Sequence, residues 1–222
     1  DNWNNSKILA YWKYDDTTKP GKDSHSWLGR LNNIRTALQG QQGDRRLRLG
    51  IAGGEWKKMM ADATARTRFA SEVKKIIEQY DFDGVDFDFE WPANASEYNN
   101  YSATVIQMRS TLGKYVYFTA SLHPVSFKIS PEAIDALDFI SYQCYGPAVM
   151  RFPYEQFVKD GEAAVAYGIP KNKLVMGVPF YGSTGSLIAA YCDFVNDGLA
   201  TTNEDTYTYK GNTYTCLLYT SP

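Results

Sequence analysis

Short apolar segments alternate along the 222-residue chain with amphipathic stretches of helical period, and this alternation limits the possible folds more than any other feature. Six segments are predicted strands: Lys7 to Trp12, Leu47 to Gly53, Gly84 to Phe89, Val116 to Leu122, Asp138 to Cys144 and Lys173 to Pro179. Their starts lie roughly 20 to 40 residues apart, which is the scale of a strand-helix unit. The pattern predicts an α/β fold with a parallel sheet. Because the sequence has no glycine-rich phosphate-binding motif, a (β/α)8 barrel fits better than a nucleotide-binding sheet.

Helices are predicted between these strands. A stripe of apolar residues at helical spacing predicts a helix from about Asp62 to Tyr80, directly before the third predicted strand. Two more are predicted at Ser96 to Leu112 and at Tyr154 to Tyr167. A shorter helix is expected after Ser130, where a capping residue is followed by Pro131.

Six strand-helix units are fewer than the eight of a closed barrel, for which about 250 residues is typical. We therefore expect the barrel to be incomplete in this chain. Near the end of the sequence, Tyr207 to Thr215 predicts a β-hairpin that turns at Lys210-Gly211-Asn212.

Composition and charge exclude several classes of function. The chain has 23 Lys and Arg against 25 Asp and Glu, and its formal net charge of -2 creates no field that would attract nucleic acid or an anionic membrane. No apolar run approaches the length of a membrane span. The cysteines Cys144, Cys192 and Cys216 lack CxxC spacing, so neither a disulfide framework nor a zinc site is indicated. The function must therefore be sought in a specific site.

The segment DGVDFDFEWP, residues 83–92, places acids at alternate positions of a predicted strand. Side chains alternate between the two faces of a strand, so Asp86, Asp88 and Glu90 project together, with neighbours about 6.7 Å apart. In a barrel these acids face the interior, and Glu90 lies at the carboxyl rim, where barrel enzymes hold their active sites. Three such close carboxylates cannot all ionise comfortably, so we expect a shared proton.

Two other interpretations of this acid column are a structural role and a metal site. A purely structural column is disfavoured because uncompensated buried carboxylates are costly and no periodic Arg or Lys is an evident partner. A Mg²⁺ or Ca²⁺ site would recruit ligands from the following strand ends. The residues there are Gln143 and Tyr145, whose chemistry suits hydrogen bonding to an amide better. Metal binding is therefore the weaker interpretation, and no metal or organic cofactor is needed for the chemistry that these residues suit.

The acidic segment resembles the DxxDxDxE signature of glycoside hydrolase family 18, the family of chitinases and endo-β-N-acetylglucosaminidases. The resemblance covers most of the chain: LRLGIAGGEW is similar to the family's SxGG strand, DFISYQCYG to its MxYD strand and KLVMGVPFYG to its KLVLGVPFYGR strand. It implies a (β/α)8 TIM barrel in which strands 2 to 7 are recognisable, KILAYWKYDD being the second, and the first and eighth are missing. Residues 1–215 are then a partial catalytic barrel without a chitinase insertion domain, and residues 216–222 are a divergent or artefactual tail.

On this resemblance Glu90 is the general acid and later the base, Asp88 holds the substrate's 2-acetamido group, and Asp86 holds the proton of Asp88. Tyr145 donates a hydrogen bond to the acetamido oxygen. The other implied residues are the substrate-binding Gln143, Trp91, Tyr181 and Trp12 and the structural motif residues Asp83, Gly84, Gly53 and Gly54. Ile51 replaces the serine of SxGG, which is a loss of support under the strand. His123 is isolated and is predicted to be a loop or surface residue, not a catalyst.

The implied reaction is hydrolysis of β-1,4-linked N-acetylglucosamine with retention, through an oxazolinium ion that the substrate's own amide forms. An endo-β-N-acetylglucosaminidase acting on N-glycans stays open as an alternative, and so does a non-catalytic chitinase-like sugar-binding protein. The intact column of Asp86, Asp88 and Glu90 counts against the latter. The resemblance further implies a secreted monomer whose partner is chitin or another N-acetylglucosamine-containing glycan.

Overall fold

The computed structural model describes residues 27–40, 43, 45–53, 56–146, 153–199 and 206–216. The predicted strand Lys7 to Trp12, including the candidate residue Trp12, lies outside these ranges. The helices are α1 (Trp27–Gln39), α2 (Lys57–Ala61), α3 (Ala63–Gln79), α4 (Ala95–Leu112), α5 (Pro131–Ala136), α6 (Tyr154–Tyr167) and α7 (Tyr191–Asn196). The strands are β1 (Arg48–Gly53), β2 (Gly84–Phe89), β3 (Tyr117–Leu122), β4 (Phe139–Gln143), β5 (Leu174–Gly177), β6 (Tyr181–Ser183), β7 (Ile188–Ala190), β8 (Thr206–Tyr209) and β9 (Asn212–Thr215). Within the described ranges, no helix combines the length and the apolar character that crossing a membrane requires.

The first five strands form one parallel sheet in the order β1-β2-β3-β4-β5. A helical connection separates each pair of neighbours: α2 and α3, then α4, then α5, then α6. This is the repeating unit of an α/β barrel. The predicted parallel α/β architecture is confirmed, and all five strand predictions agree with the observed bounds within two residues.

The outer face of β2 packs under the helices, as the alternation of its side chains predicts. Val85, Phe87 and Phe89 are fully or almost fully buried. The ring of Phe87 lies 5.8 Å from that of Phe69 on α3 and 5.4 Å from that of Tyr101 on α4. Burying these rings anchors the strand on one side, so its acidic side chains are left on the interior face.

Side-chain caps fix the helices that follow β2 and β3. Asn94 accepts a hydrogen bond from the main-chain N–H of Glu97 at 3.0 Å, which starts α4 shortly after the strand ends. Ser130 accepts one from Ala133 at 3.2 Å, and Pro131 occupies the first turn of α5, as predicted. The connection between β2 and α4 is therefore short, and the cap fixes where α4 begins.

Residues 181–215 contribute a second, antiparallel sheet in the order β7-β6-β9-β8. Its small core is centred on Phe194, whose ring stacks on Tyr207 at 5.2 Å and contacts Tyr214 at 5.6 Å. The predicted hairpin is confirmed as β8 and β9, and Lys210 and Gly211 form its turn with φ of 47° and 77°. The expectation that the chain has no chitinase insertion domain stays a prediction.

Candidate active site

The column of three acids lies on the interior face of β2 and leads to the carboxyl edge of the sheet. Glu90 follows the last residue of β2, and its main-chain N–H donates to the carbonyl oxygen of Gly53 at 3.2 Å. The Glu90 side chain is exposed, whereas those of Asp88 and Asp86 are partly buried. The strand thus presents its most accessible acid at the rim.

Asp86, the deepest acid of the column, is held by three side chains. Ser121 donates to its Oδ2 at 2.7 Å, and Thr119 donates to its Oδ1. The Nη1 atom of Arg48 lies 3.2 Å from the same Oδ1. Arg48 is therefore a cationic partner that the sequence pattern does not reveal. It lies on the neighbouring strand, and its approach depends on the register that pairs Arg48 with Gly84.

Asp88 has a different environment from Asp86. Its Oδ1 is buried and has no hydrogen-bond partner among the described residues. Burial raises the pKa of Asp88 to about 6, and the negative charges of Glu90 and Asp86 act in the same direction. A side-chain hydrogen bond with Gln143 opposes this shift. Asp88 therefore keeps a proton to a higher pH than an ordinary aspartate.

Two aromatic residues meet near the carboxyl edge of the sheet: Tyr145 follows β4, and Tyr181 is the first residue of β6. The rings of Tyr145 and Tyr181 are edge-on, with centroids 6.4 Å apart. Burial raises the pKa of Tyr145, and the nearby Tyr181 hydroxyl and the carboxylates of Asp88 and Glu90 raise it further. The Tyr145 phenol consequently stays protonated at neutral pH and is available as a hydrogen-bond donor. Gln143 and Tyr145 lie near the acid column, and Tyr181 contacts Tyr145; their roles in substrate binding stay predictions.

His123 occupies a structured position that the sequence does not reveal. It is 2% exposed, and its Nε2 lies 2.8 Å from the carbonyl oxygen of Tyr145 and 2.6 Å from that of Gly146. Trp91 lies over it, with ring centroids 5.5 Å apart. The prediction of a loop or surface residue is wrong in one respect: His123 follows the end of β3 as expected, but its side chain is buried beneath the rim.

The motif residues Asp83, Gly84 and Gly53 lie at the strand ends. Asp83 Oδ2 accepts a hydrogen bond from the main-chain N–H of Leu47 at 2.6 Å, which joins the amino ends of β2 and β1. A Cβ atom on Gly84 would collide with the carbonyl oxygen of Tyr117 on β3. Gly53 has φ of 111°, which favours glycine. Gly54 lies outside the described residues.

The described ranges contain no group of three or more His, Cys, Asp or Glu side chains arranged to hold a metal ion. What the site does contain is a rim carboxyl group, a neighbouring aspartate that retains a proton, and a protonated phenol. Such a set can donate and accept protons and can hydrogen-bond an amide.

Solved structures with similar folds place the sheet in the barrel class. The chain superposes on a family 18 chitinase of Flavobacterium johnsoniae with a TM-score of 0.70 at 22% identity, covering 83% of this chain and 65% of that one. It superposes on a family 18 chitinase of Cycas revoluta, solved in complex with (GlcNAc)3, with a TM-score of 0.71 at 17% identity, covering 85% and 73%. At these identities the likeness shows the fold, which is that of a (β/α)8 barrel.

The sequence match defines the family. Residues 5–215 match the model of the glycosyl hydrolases family 18, and the chain belongs to that family. It is 26% identical over 189 residues to the probable chitinase 2 of Drosophila melanogaster, covering 68% of this chain and 37% of that protein. It is 28% identical over 179 residues to an endochitinase of Manduca sexta, covering 63% and 32%. The chain thus spans about a third of the length of these relatives.

Proposed function

We propose that this chain carries the active site of a retaining glycoside hydrolase that cleaves β-1,4-linked N-acetylglucosamine in chitin or its oligosaccharides. One observation carries the proposal: Glu90 lies at the rim directly above Asp88, an aspartate that retains a proton to about pH 6. Membership of family 18 supports the same reaction, as do relatives named chitinases.

In the first proposed step, Glu90 transfers its proton to the glycosidic oxygen as the C1–O bond breaks. The substrate's acetamido oxygen forms a bond to C1, so the electron pair of the broken bond leaves with the departing sugar and an oxazolinium ion results. Asp88 orients the acetamido N–H and stabilises its developing positive charge. Tyr145 donates a hydrogen bond to the acetamido oxygen, which its raised pKa allows at neutral pH.

In the second proposed step, the Glu90 carboxylate accepts a proton from water. The water oxygen forms a bond to C1 on the face that the leaving group vacated, and the C1–O bond to the acetamido oxygen breaks. The amide is restored, and the product keeps the β configuration. Because the nucleophile belongs to the sugar, the protein needs only Glu90 to transfer protons and Asp88 to orient the amide.

Aromatic and amide side chains around the acids supply the proposed binding surface. Trp91 directly follows Glu90 and Tyr181 contacts Tyr145, and both are proposed to offer faces for sugar rings. Gln143 lies beside Asp88, where it can hydrogen-bond the substrate. Since chitin is an extracellular polymer, we propose that the whole protein is secreted and acts as a monomer.

The test is an assay of reducing-end release from the hexasaccharide of N-acetylglucosamine and from an N-glycan. The wild type is expected to cleave the hexasaccharide, and Glu90→Gln should lose about 100-fold or more of kcat because an amide cannot transfer the proton. Glu78→Gln is the matched control, since Glu78 is an exposed residue of α3 whose only described ion pair, with Lys74, is weak at 3.9 Å.

Each outcome of this assay has a defined meaning. Cleavage of the N-glycan alone would replace the proposal with an endo-β-N-acetylglucosaminidase. Binding without cleavage of either glycan would identify a sugar-binding protein. Wild-type turnover by Glu90→Gln would refute the assignment of the acid.

A further inference from the structure

Arg48 reaches the acid column from the neighbouring strand. It begins β1 and is paired in register with Gly84, so its side chain lies on the interior face next to β2. Its Nη1 lies 3.2 Å from Asp86 Oδ1, and the same nitrogen donates to Thr119 Oγ1. Its guanidinium carbon lies 4.8 Å from the ring centroid of Phe139 on β4. Contacts with three other strands therefore fix the position of this charge.

Both carboxylate oxygens of Asp86 are acceptors in this arrangement. Oδ1 faces Arg48 and Thr119, and Oδ2 accepts from Ser121 at 2.7 Å. Hydroxyl groups can donate to an anion or to a neutral acid, but Arg48 can only donate and is always charged. A proton on Oδ1 would displace a donor, and a proton on Oδ2, although Ser121 could accept it, would remove the negative charge that pairs with Arg48. The geometry therefore favours the anion of Asp86, in contrast to the expectation that Asp86 holds the proton of Asp88.

Asp88 lacks this support, although it follows Asp86 on the same face. Its Oδ1 is buried without a hydrogen-bond partner among the described residues, and Gln143 is the side chain that bonds the carboxyl group. A buried carboxyl group with few donors favours the protonated form. The two aspartates of the column thus differ, and the difference is set by Arg48, Thr119 and Ser121.

We propose that Arg48 is a positioning residue: its charge holds Asp86 as an anion, and this confines the exchangeable proton of the column to Asp88 and Glu90. The inference rests on the proposed function, because the confined proton is the one that Glu90 transfers. Without Arg48, Asp86 competes for that proton, so fewer molecules hold it where Glu90 can pass it to the glycosidic oxygen.

Other titratable groups near the column belong to the elements packed against β2. Helix α4 contributes Tyr101, whose hydroxyl donates to the carbonyl oxygen of Phe87 at 3.0 Å. Burial raises the pKa of Tyr101 well above its usual value of 10.0, so its hydroxyl stays protonated at neutral pH. Tyr145 at the end of β4 is likewise neutral, and β3 contributes only hydroxyl groups. Among the described residues that contact the column, Arg48 is the cation.

The test is a pH titration of the Asp86 and Asp88 carboxyl carbons by NMR in the full 222-residue chain, without substrate. In the wild type, Asp88 is expected to carry more than three quarters of the chemical-shift change in the step near pH 6. In Arg48→Met the same step should be divided about equally between the two aspartates. Arg48→Lys, which keeps the charge, should restore most of the wild-type division.

Arg46→Met is the matched control. It removes the same charge two residues earlier, where the guanidinium lies over the ring of Tyr117 at 4.4 Å, and it should leave the division unchanged. If Arg48→Met does not fold, the wild-type titration still shows whether Asp86 or Asp88 carries the step near pH 6. An Asp86 share of half or more in the wild type overturns the proposal, as does an Arg48→Met division equal to that of the wild type.

Kinetics separate this role from simple structural support. Arg48→Met is expected to lower kcat/KM about tenfold at pH 6, and the loss should shrink to threefold or less near pH 4.5, where the column binds more protons. A loss that is constant across this range would overturn the proposal. Failure of the wild-type chain to cleave chitooligosaccharides would count against the proposed function. The NMR titration needs no substrate, so it would still decide whether Asp86 or Asp88 holds the proton.

Discussion

The Nε2–H of His123 donates to the carbonyl oxygen of Tyr145 at 2.8 Å, while its Nδ1 accepts from the main-chain N–H of Val125 at 3.2 Å. One ring nitrogen faces carbonyl oxygens and the other faces an N–H group, so these hydrogen bonds favour the tautomer in which Nε2 is the donor. The ring thereby ties the end of β4 to the loop after β3, and Trp91 rests on it. Two residues of the proposed sugar site depend on this one buried side chain.

Replacing His123 should therefore affect both stability and substrate binding. His123→Leu is expected to lower the free energy of unfolding by about 2 kcal/mol, because it leaves buried carbonyl oxygens without a donor. It should also raise KM several-fold by releasing Tyr145 and Trp91. His123→Gln, whose amide can still donate to the Tyr145 carbonyl, should recover most of the KM. Urea unfolding and steady-state kinetics measure the two effects, and an unchanged KM in His123→Leu would contradict this role.

Two glycines on adjacent strands should respond differently to the same substitution. A Cβ atom on Gly84 would collide with the Tyr117 carbonyl, whereas one on Gly50 meets no heavy atom within 4 Å. Gly84→Ala is expected to lower the free energy of unfolding by at least about 3 kcal/mol, and Gly50→Ala by less than about 1 kcal/mol. Urea unfolding of both variants checks this prediction. Equal losses would show that the close approach of β2 and β3 at Gly84 is not as described.

The Tyr101 hydroxyl should contribute to stability without taking part in the reaction. It donates to the Phe87 carbonyl on β2, and its ring packs edge-on against Phe87 and Phe89. Tyr101→Phe is expected to cost about 1 kcal/mol of unfolding free energy. Tyr115→Phe, the same change at a residue that is 89% exposed, should stay within about 0.5 kcal/mol of zero. A loss of stability in the exposed variant as large as in Tyr101→Phe would count against the buried hydrogen bond.

Asp88 should make stability depend on pH in an unusual direction. Its folded-state pKa is about 6 against a usual value of 3.8, so the folded state binds more protons than the unfolded state between these values. Stability therefore falls as pH rises from about 4 to 6, and the penalty is complete above pH 6.

Asp88→Asn removes this penalty. The substitution should raise the free energy of unfolding at pH 7 by about 1 kcal/mol after allowance for solvent screening of a half-buried carboxylate, and have little effect at pH 4. Asp135→Asn, at an exposed position of α5, should show no such difference between the two pH values. Urea titrations at both pH values measure it. A gain from Asp88→Asn that is equal at pH 4 and pH 7 would contradict the raised pKa.

Local patterns allowed most of the sheet and the acid column to be predicted. The period of two in residues 84–90 assigns the acids to one face regardless of what surrounds the strand, and a helical stripe marks α3. Contacts between strands could not be predicted in this way. Arg48 meets Asp86 only through the register of β1 on β2, and His123 meets Tyr145 only because β3 and β4 end side by side. The three-residue strands β6 and β7 are too short to carry a period at all.

Proton NMR of the product anomer tests the central claim most directly. The hexasaccharide of N-acetylglucosamine is mixed with the chain or with Glu90→Gln, and the anomeric protons are followed before mutarotation. Catalysis by Glu90 with the substrate's amide as nucleophile predicts that the β-anomer forms first with the wild type and that Glu90→Gln forms product at least about 100-fold more slowly. Initial release of the α-anomer, or equal rates for the two proteins, would contradict it.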